Sequence, residues 1–164
     1  MKSFIYLAIL SLAIAYSCND DSSEESELTG KLVYQSDCLG SKSAYTENNE
    51  SCIEYSYDPL NKLLTFQHNN AGFNCCPGDI NCTFDISNNT IIIAESEEMA
   101  GCNCNCLYNI SIEVYDVPKK QYFIIFEEPY IGDQERLIFT IDLTASTTGE
   151  FCVERDSYPW GITE

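Results

Sequence analysis

The chain has 164 residues, ten cysteines and a formal net charge of −18, because 26 acidic side chains stand against 8 basic ones. A chain of this length suits one domain with a hydrophobic core of its own. Since no cluster of lysine and arginine is present to replace phosphate counterions, the composition argues against a nucleic-acid partner.

The N-terminal residues have the composition of an export signal. Lys2 supplies a positive charge, and residues 4–15 are apolar or small at nearly every position. About twelve such residues suit the apolar region of a signal peptide and are too few to span a bilayer as a helix. The next tetrapeptide resembles a lipobox that ends in Cys18, the residue that would be acylated. We therefore predict a lipoprotein signal peptide over residues 1–17 and a lipid anchor at Cys18. Ordinary cleavage at the same place, which would release a secreted protein, is the alternative.

An acidic segment follows the predicted anchor. Residues 19–27 carry five carboxylates and no apolar side chain, so they cannot bury enough surface to fold. We expect residues 18–29 to be a lipidated cysteine with a disordered tether, and residues 30–164 to be the folded domain. The acidic run also resembles the export signals of surface lipoproteins of the Bacteroidota. This resemblance implies an outer-membrane or cell-surface location, with the membrane as a partner through the lipid.

Beyond the tether, short segments alternate apolar and polar residues, which is the period of a β-strand, and turn-forming residues separate them. No window shows a sustained helical period. The predicted strands are 31–35, 52–57, 62–67, 80–86, 90–94, 104–117, 121–127 and 136–143, and residues 150–154 could add a ninth strand at an edge. A turn is expected at residues 69–72. This pattern predicts an all-β fold, an antiparallel β-sandwich that is immunoglobulin-like in style, with a β-barrel as the alternative.

Ten cysteines in an exported chain indicate disulfides, because thiols do not stay reduced outside the cytoplasm. If Cys18 is acylated, nine cysteines remain, so at least one cannot pair within the chain. The disulfide candidates are Cys38, Cys52, Cys75, Cys76, Cys82, Cys102, Cys104, Cys106 and Cys152.

Spacing restricts the pairing of these cysteines. Alternate residues from 102 to 114 share one apolar face of the longest predicted strand, which places three cysteines at one end of that face. Cysteines two apart on a strand are too distant to bridge, so these three should reach another segment, for which the adjacent Cys75 and Cys76 are the natural source. Cys38 and Cys52 flank a polar stretch and could close a loop, and the remaining connectivity stays open.

A metal site is the alternative use of the same cysteines. Cys102, Cys104 and Cys106 could present three sulfurs, and His68 could complete a tetrahedron for zinc or copper. The spacing differs from the Cys-x-x-Cys pattern that structural zinc prefers, so disulfides with no cofactor are the primary prediction.

The remaining polar residues give no catalytic pattern. His68, the only histidine, shares an alternating strand face with Leu64 and Phe66, which indicates a hydrogen-bonded structural residue. Glu95 is one of several carboxylates without a diagnostic spacing, and residues 127–128 are expected to be exposed loop charges.

Three motifs together resemble a group of small cysteine-rich lipoproteins of the Bacteroidota. They are Cys75-Cys76-Pro77, Cys102-x-Cys104-x-Cys106-Leu107-Tyr108 and Tyr158-Pro159-Trp160. The resemblance implies a cellular location and a fold class, and it implies no particular activity. We accordingly expect a non-enzymatic binding or structural module on the envelope, with a protein or a glycan as its ligand. A metal-handling lipoprotein is the alternative.

Overall fold

The structure is a computed structural model that describes residues 28–39 and 49–156. The predicted signal peptide, Cys18 and the Tyr-Pro-Trp motif at 158–160 lie outside the described residues. Within these two ranges the chain forms nine strands, and no helix is long and apolar enough to cross a membrane. The strands are β1 (Thr29–Gln35), β2 (Glu50–Asp58), β3 (Leu63–Asn74), β4 (Ile80–Ser87), β5 (Thr90–Glu97), β6 (Asn105–Tyr115), β7 (Gln121–Glu127), β8 (Ile138–Asp142) and β9 (Thr148–Glu154).

The nine strands form two sheets that pack face to face. Sheet A has the order β1-β6-β3-β2-β9, and sheet B has the order β4-β5-β7-β8. Neighbouring strands are antiparallel except β5 and β7, which are parallel. The predicted β-sandwich is therefore confirmed, and the barrel alternative is not what the chain forms. The division into five and four strands differs from the four and three of a constant-type immunoglobulin domain.

The core lies between the sheets and is filled by alternate residues of the central strands. β-Branched and aromatic side chains suit these positions because they pack well on a pleated surface. Across the interface, the rings of Phe66 in β3 and Phe126 in β7 meet edge to face with centroids 5.7 Å apart. Full burial of each large apolar side chain contributes about 1.5–3 kcal/mol. Other core residues with no exposed surface include Leu64, Ile91, Ile93, Ile110, Ile112, Val114 and Ile124.

The two sheets also meet along both of their sides. At one side β1 lies against β4, where a Cβ on Gly30 would fall 2.4 Å from the ring of Phe84, so a larger residue would require the ring to move. At the other side β8 lies against β9, where the rings of Phe139 and Phe151 stack with centroids 4.8 Å apart. The edge strands are thereby partly covered, which limits pairing with other chains.

A β-bulge divides β3 and changes which of its residues face the core. His68 pairs with Ile110 but Ala71 pairs with Tyr108, so β3 holds one extra residue at this point. Asn70 within the bulge has a φ of 64°, in the left-handed region that asparagine tolerates. The turn predicted at residues 69–72 is therefore wrong, because the same residues form a bulge inside a continuous strand.

All nine predicted strands are confirmed, although their first and last residues differ from the predicted ones.

Candidate functional site

Three disulfides are gathered at one end of the sandwich. They join Cys75 to Cys104, Cys76 to Cys102 and Cys38 to Cys106. The prediction that the closely spaced cysteines near β6 reach the adjacent pair after β3 is confirmed for two of the three. β6 begins only at Asn105, and Cys104 is exposed, so the expectation that all three lie on one buried strand face is wrong.

The suggested loop between Cys38 and Cys52 does not form. β1 pairs with β6, which brings Cys38 to Cys106, whereas β2 pairs with β9. Cys52 and Cys152 are directly opposite in that second pairing and are bonded to each other. In a chain without other cross-links, closing a loop of this length contributes on the order of 4 kcal/mol. This bridge fixes the last strand to the edge of sheet A.

Cys82 is a free thiol, so its place among the disulfide candidates is corrected. It lies on β4 directly opposite Glu95 of β5 and packs against the core. Burial, and then the nearby Glu95 carboxylate, raise the pKa of the Cys82 thiol well above its usual range. Since the thiolate is the reactive form, the raised pKa disfavours oxidation of this cysteine and its exchange with the disulfides.

The metal interpretation is wrong for the residues on which it was based. Cys102, Cys104 and Cys106 are each bonded to a different cysteine, so none offers a thiolate. His68 lies in the core with both ring nitrogens in hydrogen bonds to protein side chains. Among the described residues one other group has ligand spacing, Glu50 with Cys52 and Cys152, but its two sulfurs are bonded to each other.

Asn74, the last residue of β3, links the two segments that carry the paired cysteines. Its side-chain Oδ1 accepts hydrogen bonds from the backbone N–H of Cys76 at 2.9 Å and of Cys102 at 3.0 Å. Its Nδ2 donates to the carbonyl of Cys102 at 2.6 Å. Its own backbone N–H donates to Glu97, and its carbonyl accepts from the Tyr108 hydroxyl. One buried amide thus holds both segments at the separation that the disulfides need.

A second polar cluster lies inside the sandwich around His68. The ring nitrogen Nδ1 lies 2.7 Å from Glu95 Oε1, and Nε2 lies 2.8 Å from Ser51 Oγ. His68 and Ser51 belong to sheet A and have no exposed surface, while Glu95 belongs to sheet B. The histidine therefore connects the two sheets through their interior, and the prediction of a hydrogen-bonded structural histidine is confirmed.

An ion pair extends this cluster toward the end of β9. Glu128, just after β7, receives two hydrogen bonds from Arg155 Nη2, at 2.8 and 2.7 Å, and lies 3.8 Å from His68 Nε2. Arg155 Nη1 donates to the carbonyl of Glu135 at 2.7 Å. The Glu128 side chain is only 2% exposed, so the expectation of an exposed loop charge there is wrong. We call Ser51, His68, Glu95, Glu128 and Arg155 the buried network.

The electrostatics of the buried network favour a charged histidine. Burial alone would lower the pKa of His68, but the carboxylates of Glu95 and then Glu128 outweigh it and raise the pKa above the usual 6.5. Burial also raises the pKa of Glu128, although His68 and Arg155 oppose that change. With His68 protonated, two positive and two negative groups balance, as buried charges require.

Ser51, His68 and Glu95 have the connectivity of a hydrolase triad, in which a carboxylate orients an imidazole that faces a hydroxyl. Their environment opposes that chemistry. The carboxylates that raise the pKa of His68 favour the protonated imidazole, which does not accept a serine proton, and Ser51 has no exposed surface for a substrate to contact. The geometry therefore supports a charge-balancing and sheet-joining role.

Sequence reasoning missed most of the buried network. Glu95 had a local signal, since it continues the alternation of Ile91 and Ile93 and thus shares their buried face. Ser51 precedes the predicted strand, and Glu128 and Arg155 follow strand ends, where the alternation does not show which way a side chain points.

Comparisons with family models, with curated proteins and with solved structures found no match to this chain.

Replacing Asn74 by alanine should destabilise the domain by about 2 kcal/mol or more, because two backbone N–H groups lose their acceptor. The variant should also give more mispaired disulfides after oxidative refolding. Peptide mapping without reduction, together with thermal melting, measures both effects. Asn81→Ala on exposed β4 is the control. A wild-type disulfide map with an unchanged melting temperature would contradict the linking role of Asn74.

The buried network makes stability depend on pH with a defined sign. Because the folded pKa of His68 is raised, its contribution is complete below pH 6.5 and is lost as the pH rises through the folded value. The melting temperature should therefore be highest below pH 6.5 and fall by several degrees as the pH rises through the folded value. His68→Gln should cost on the order of 3–5 kcal/mol near pH 6 and should flatten this slope.

The matched control for this experiment is Lys119→Gln, which removes an exposed positive charge and should keep the wild-type slope. Differential scanning calorimetry across the pH range measures all three proteins. An equal slope in wild type and His68→Gln would show that His68 does not titrate in the folded domain.

Proposed function

We propose that this chain is an envelope lipoprotein, anchored through Cys18, whose β-sandwich is a non-enzymatic binding or structural module. The observation that carries the proposal is the set of four disulfides within a β-rich domain. Disulfides of this density belong to oxidising compartments outside the cytoplasm. In such a compartment, disulfides keep the domain folded without the help of cytoplasmic chaperones and reductants.

The anchor is supported by the cysteine count. Eight of the nine cysteines after Cys18 pair among themselves, and the ninth, Cys82, faces the core with a raised pKa. Neither the eight paired cysteines nor Cys82 is a natural disulfide partner for Cys18, which is consistent with acylation of Cys18. The export signal, the lipobox-like ending and the acidic tether support the outer membrane or the cell surface as the location.

The non-enzymatic assignment is supported by the state of the buried network. The one serine–histidine–glutamate arrangement among the described residues is enclosed, and the pKa of its imidazole is raised by the neighbouring carboxylates. The described cysteines are bonded in disulfides except Cys82, which packs against the core and has a raised pKa. With no nucleophile presented to solvent in these groups, recognition through the outer faces of the sheets is the function that the fold supports best.

The enclosed serine gives a direct test of this assignment. A fluorophosphonate should leave Ser51 unlabelled in the folded protein, as intact-mass measurement after a long incubation would show. Ser51→Ala should lower stability by about 1.5–3 kcal/mol, because it removes a buried hydrogen bond to a charged group. Ser96→Ala, on the exposed side of β5, is the control for stability. A stoichiometric adduct on Ser51 would overturn the non-enzymatic assignment.

Membrane anchoring is tested by phase partitioning. In a detergent-phase separation of the full chain expressed with its export signal, wild type should enter the detergent phase because of its acyl chains. Cys18→Ala should move to the aqueous phase. Cys82→Ala, which removes a cysteine without touching the predicted anchor, should behave as wild type. Retention of Cys18→Ala in the detergent phase would count against acylation at this residue.

A further inference from the structure

A shallow groove lies on the outer face of sheet A, where β9, β2 and β3 run side by side. Its volume is 420 Å³, within the size range of small-molecule sites. It lies on the opposite side of the sheet from the buried network and contains none of its residues. Side chains on this face alternate with the core residues of the same strands, so they point to solvent.

The strand register arranges the groove side chains in two rows of three. Each row crosses β9, β2 and β3 in that order, with neighbouring strands about 4.8 Å apart. The first row consists of three hydroxyl residues, Thr148, Ser56 and Thr65. The second row consists of two carboxylates and an amide, Glu150, Glu54 and Gln67. We call these six residues the polar grid.

Two members of the polar grid are held in place by neighbours on the same face. Glu54 accepts a hydrogen bond from Asn69 Nδ2 at 2.8 Å, and Gln67 Oε1 accepts one from the Ser111 hydroxyl. With its oxygen occupied, the Gln67 amide offers its N–H groups. One row further on, the Cys52–Cys152 bridge fixes β9 to β2. Glu54 and Gln67 are therefore oriented before a ligand binds, which lowers the entropy cost of binding.

The chemistry of the polar grid selects a class of ligand. No basic residue lines the groove, so phosphates, nucleic acids and acidic sugars lack a counter-charge. The side chains are hydroxyls, carboxylates and an amide, so an apolar ligand would leave them unpaired. The carboxylates only accept hydrogen bonds, whereas the hydroxyls both donate and accept. A ligand with many closely spaced hydroxyl groups fits this surface.

We propose that the polar grid binds a neutral glycan on the outer face of sheet A. This inference rests on the proposed function and gives its ligand a chemical class. Sugar hydroxyls donate to Glu54 and Glu150, and ring or acetamido oxygens accept from Gln67. The strand spacing is comparable with the length of one pyranose unit, so a short oligosaccharide lies across the three strands with one unit over each strand.

The test uses the full chain kept in detergent and titrated by calorimetry with neutral hexasaccharides of glucose, xylose, mannose and N-acetylglucosamine. At least one should bind with a Kd below about 1 mM, and high salt should leave the affinity unchanged. Ser56→Ala and Gln67→Ala should each weaken binding about tenfold, since each removes hydrogen bonds in the groove. Thr140→Ala, on the outer face of sheet B, is the control and should bind as wild type.

A paired charge variant separates a glycan from a basic peptide. Glu54→Gln with Glu150→Gln keeps the hydrogen-bond acceptors and removes both charges, so glycan binding should change by less than about threefold. Binding of a lysine hexapeptide, abolished by this variant and by salt while no glycan binds, would overturn the glycan proposal. So would the absence of binding by every hexasaccharide, or binding that survives both Ser56→Ala and Gln67→Ala.

Phase partitioning of the same samples keeps the two proposals distinguishable. If wild type enters the detergent phase through Cys18 but binds no hexasaccharide, the glycan inference fails and the anchored module stands. If hexasaccharides bind in the groove but the chain stays in the aqueous phase, the binding site stands and the anchor fails.

Discussion

The interior of this sandwich is organised around paired charges. His68 from sheet A meets Glu95 from sheet B, and Glu128 beside them is paired with Arg155 at the end of β9. Breaking one buried pair leaves an uncompensated charge at a cost of several kcal/mol, so shifted arrangements of the sheets are strongly disfavoured. Apolar packing alone tolerates many such arrangements. The buried charges therefore favour the observed arrangement of the two sheets over shifted ones.

Local alternation was sufficient to predict most of the fold. Apolar residues at every second position predicted the strands, and the number and spacing of these strands predicted a sandwich. The bulge at Asn70 could not be predicted, because an extra residue within a strand looks like a turn when only the sequence is read. The partner of Cys38 was missed for another reason. It depends on β1 pairing with β6, and strand order is decided by packing over the whole domain.

The candidate site was less accessible to sequence analysis than the fold. The buried position of His68 follows from its strand period, but its ion-pair neighbours Glu128 and Arg155 lie far away along the chain and outside regular alternation. They come together only when both sheets are complete. The polar grid shows the same dependence, since Glu54 and Glu150 become neighbours through the pairing of β2 with β9. A site whose residues come from several strands depends on the order in which those strands pair, and a single sequence does not show that order.

The parallel pairing of β5 with β7 has a consequence for folding. Parallel neighbours cannot be joined by a tight turn, and here the intervening chain forms β6, an internal strand of the opposite sheet. The connection that completes sheet B therefore contributes an internal strand to sheet A. Neither sheet is a separate folding unit, and contacts between distant residues must form together. The domain should therefore fold slowly and unfold as one cooperative body, without a half-formed sheet as a stable intermediate.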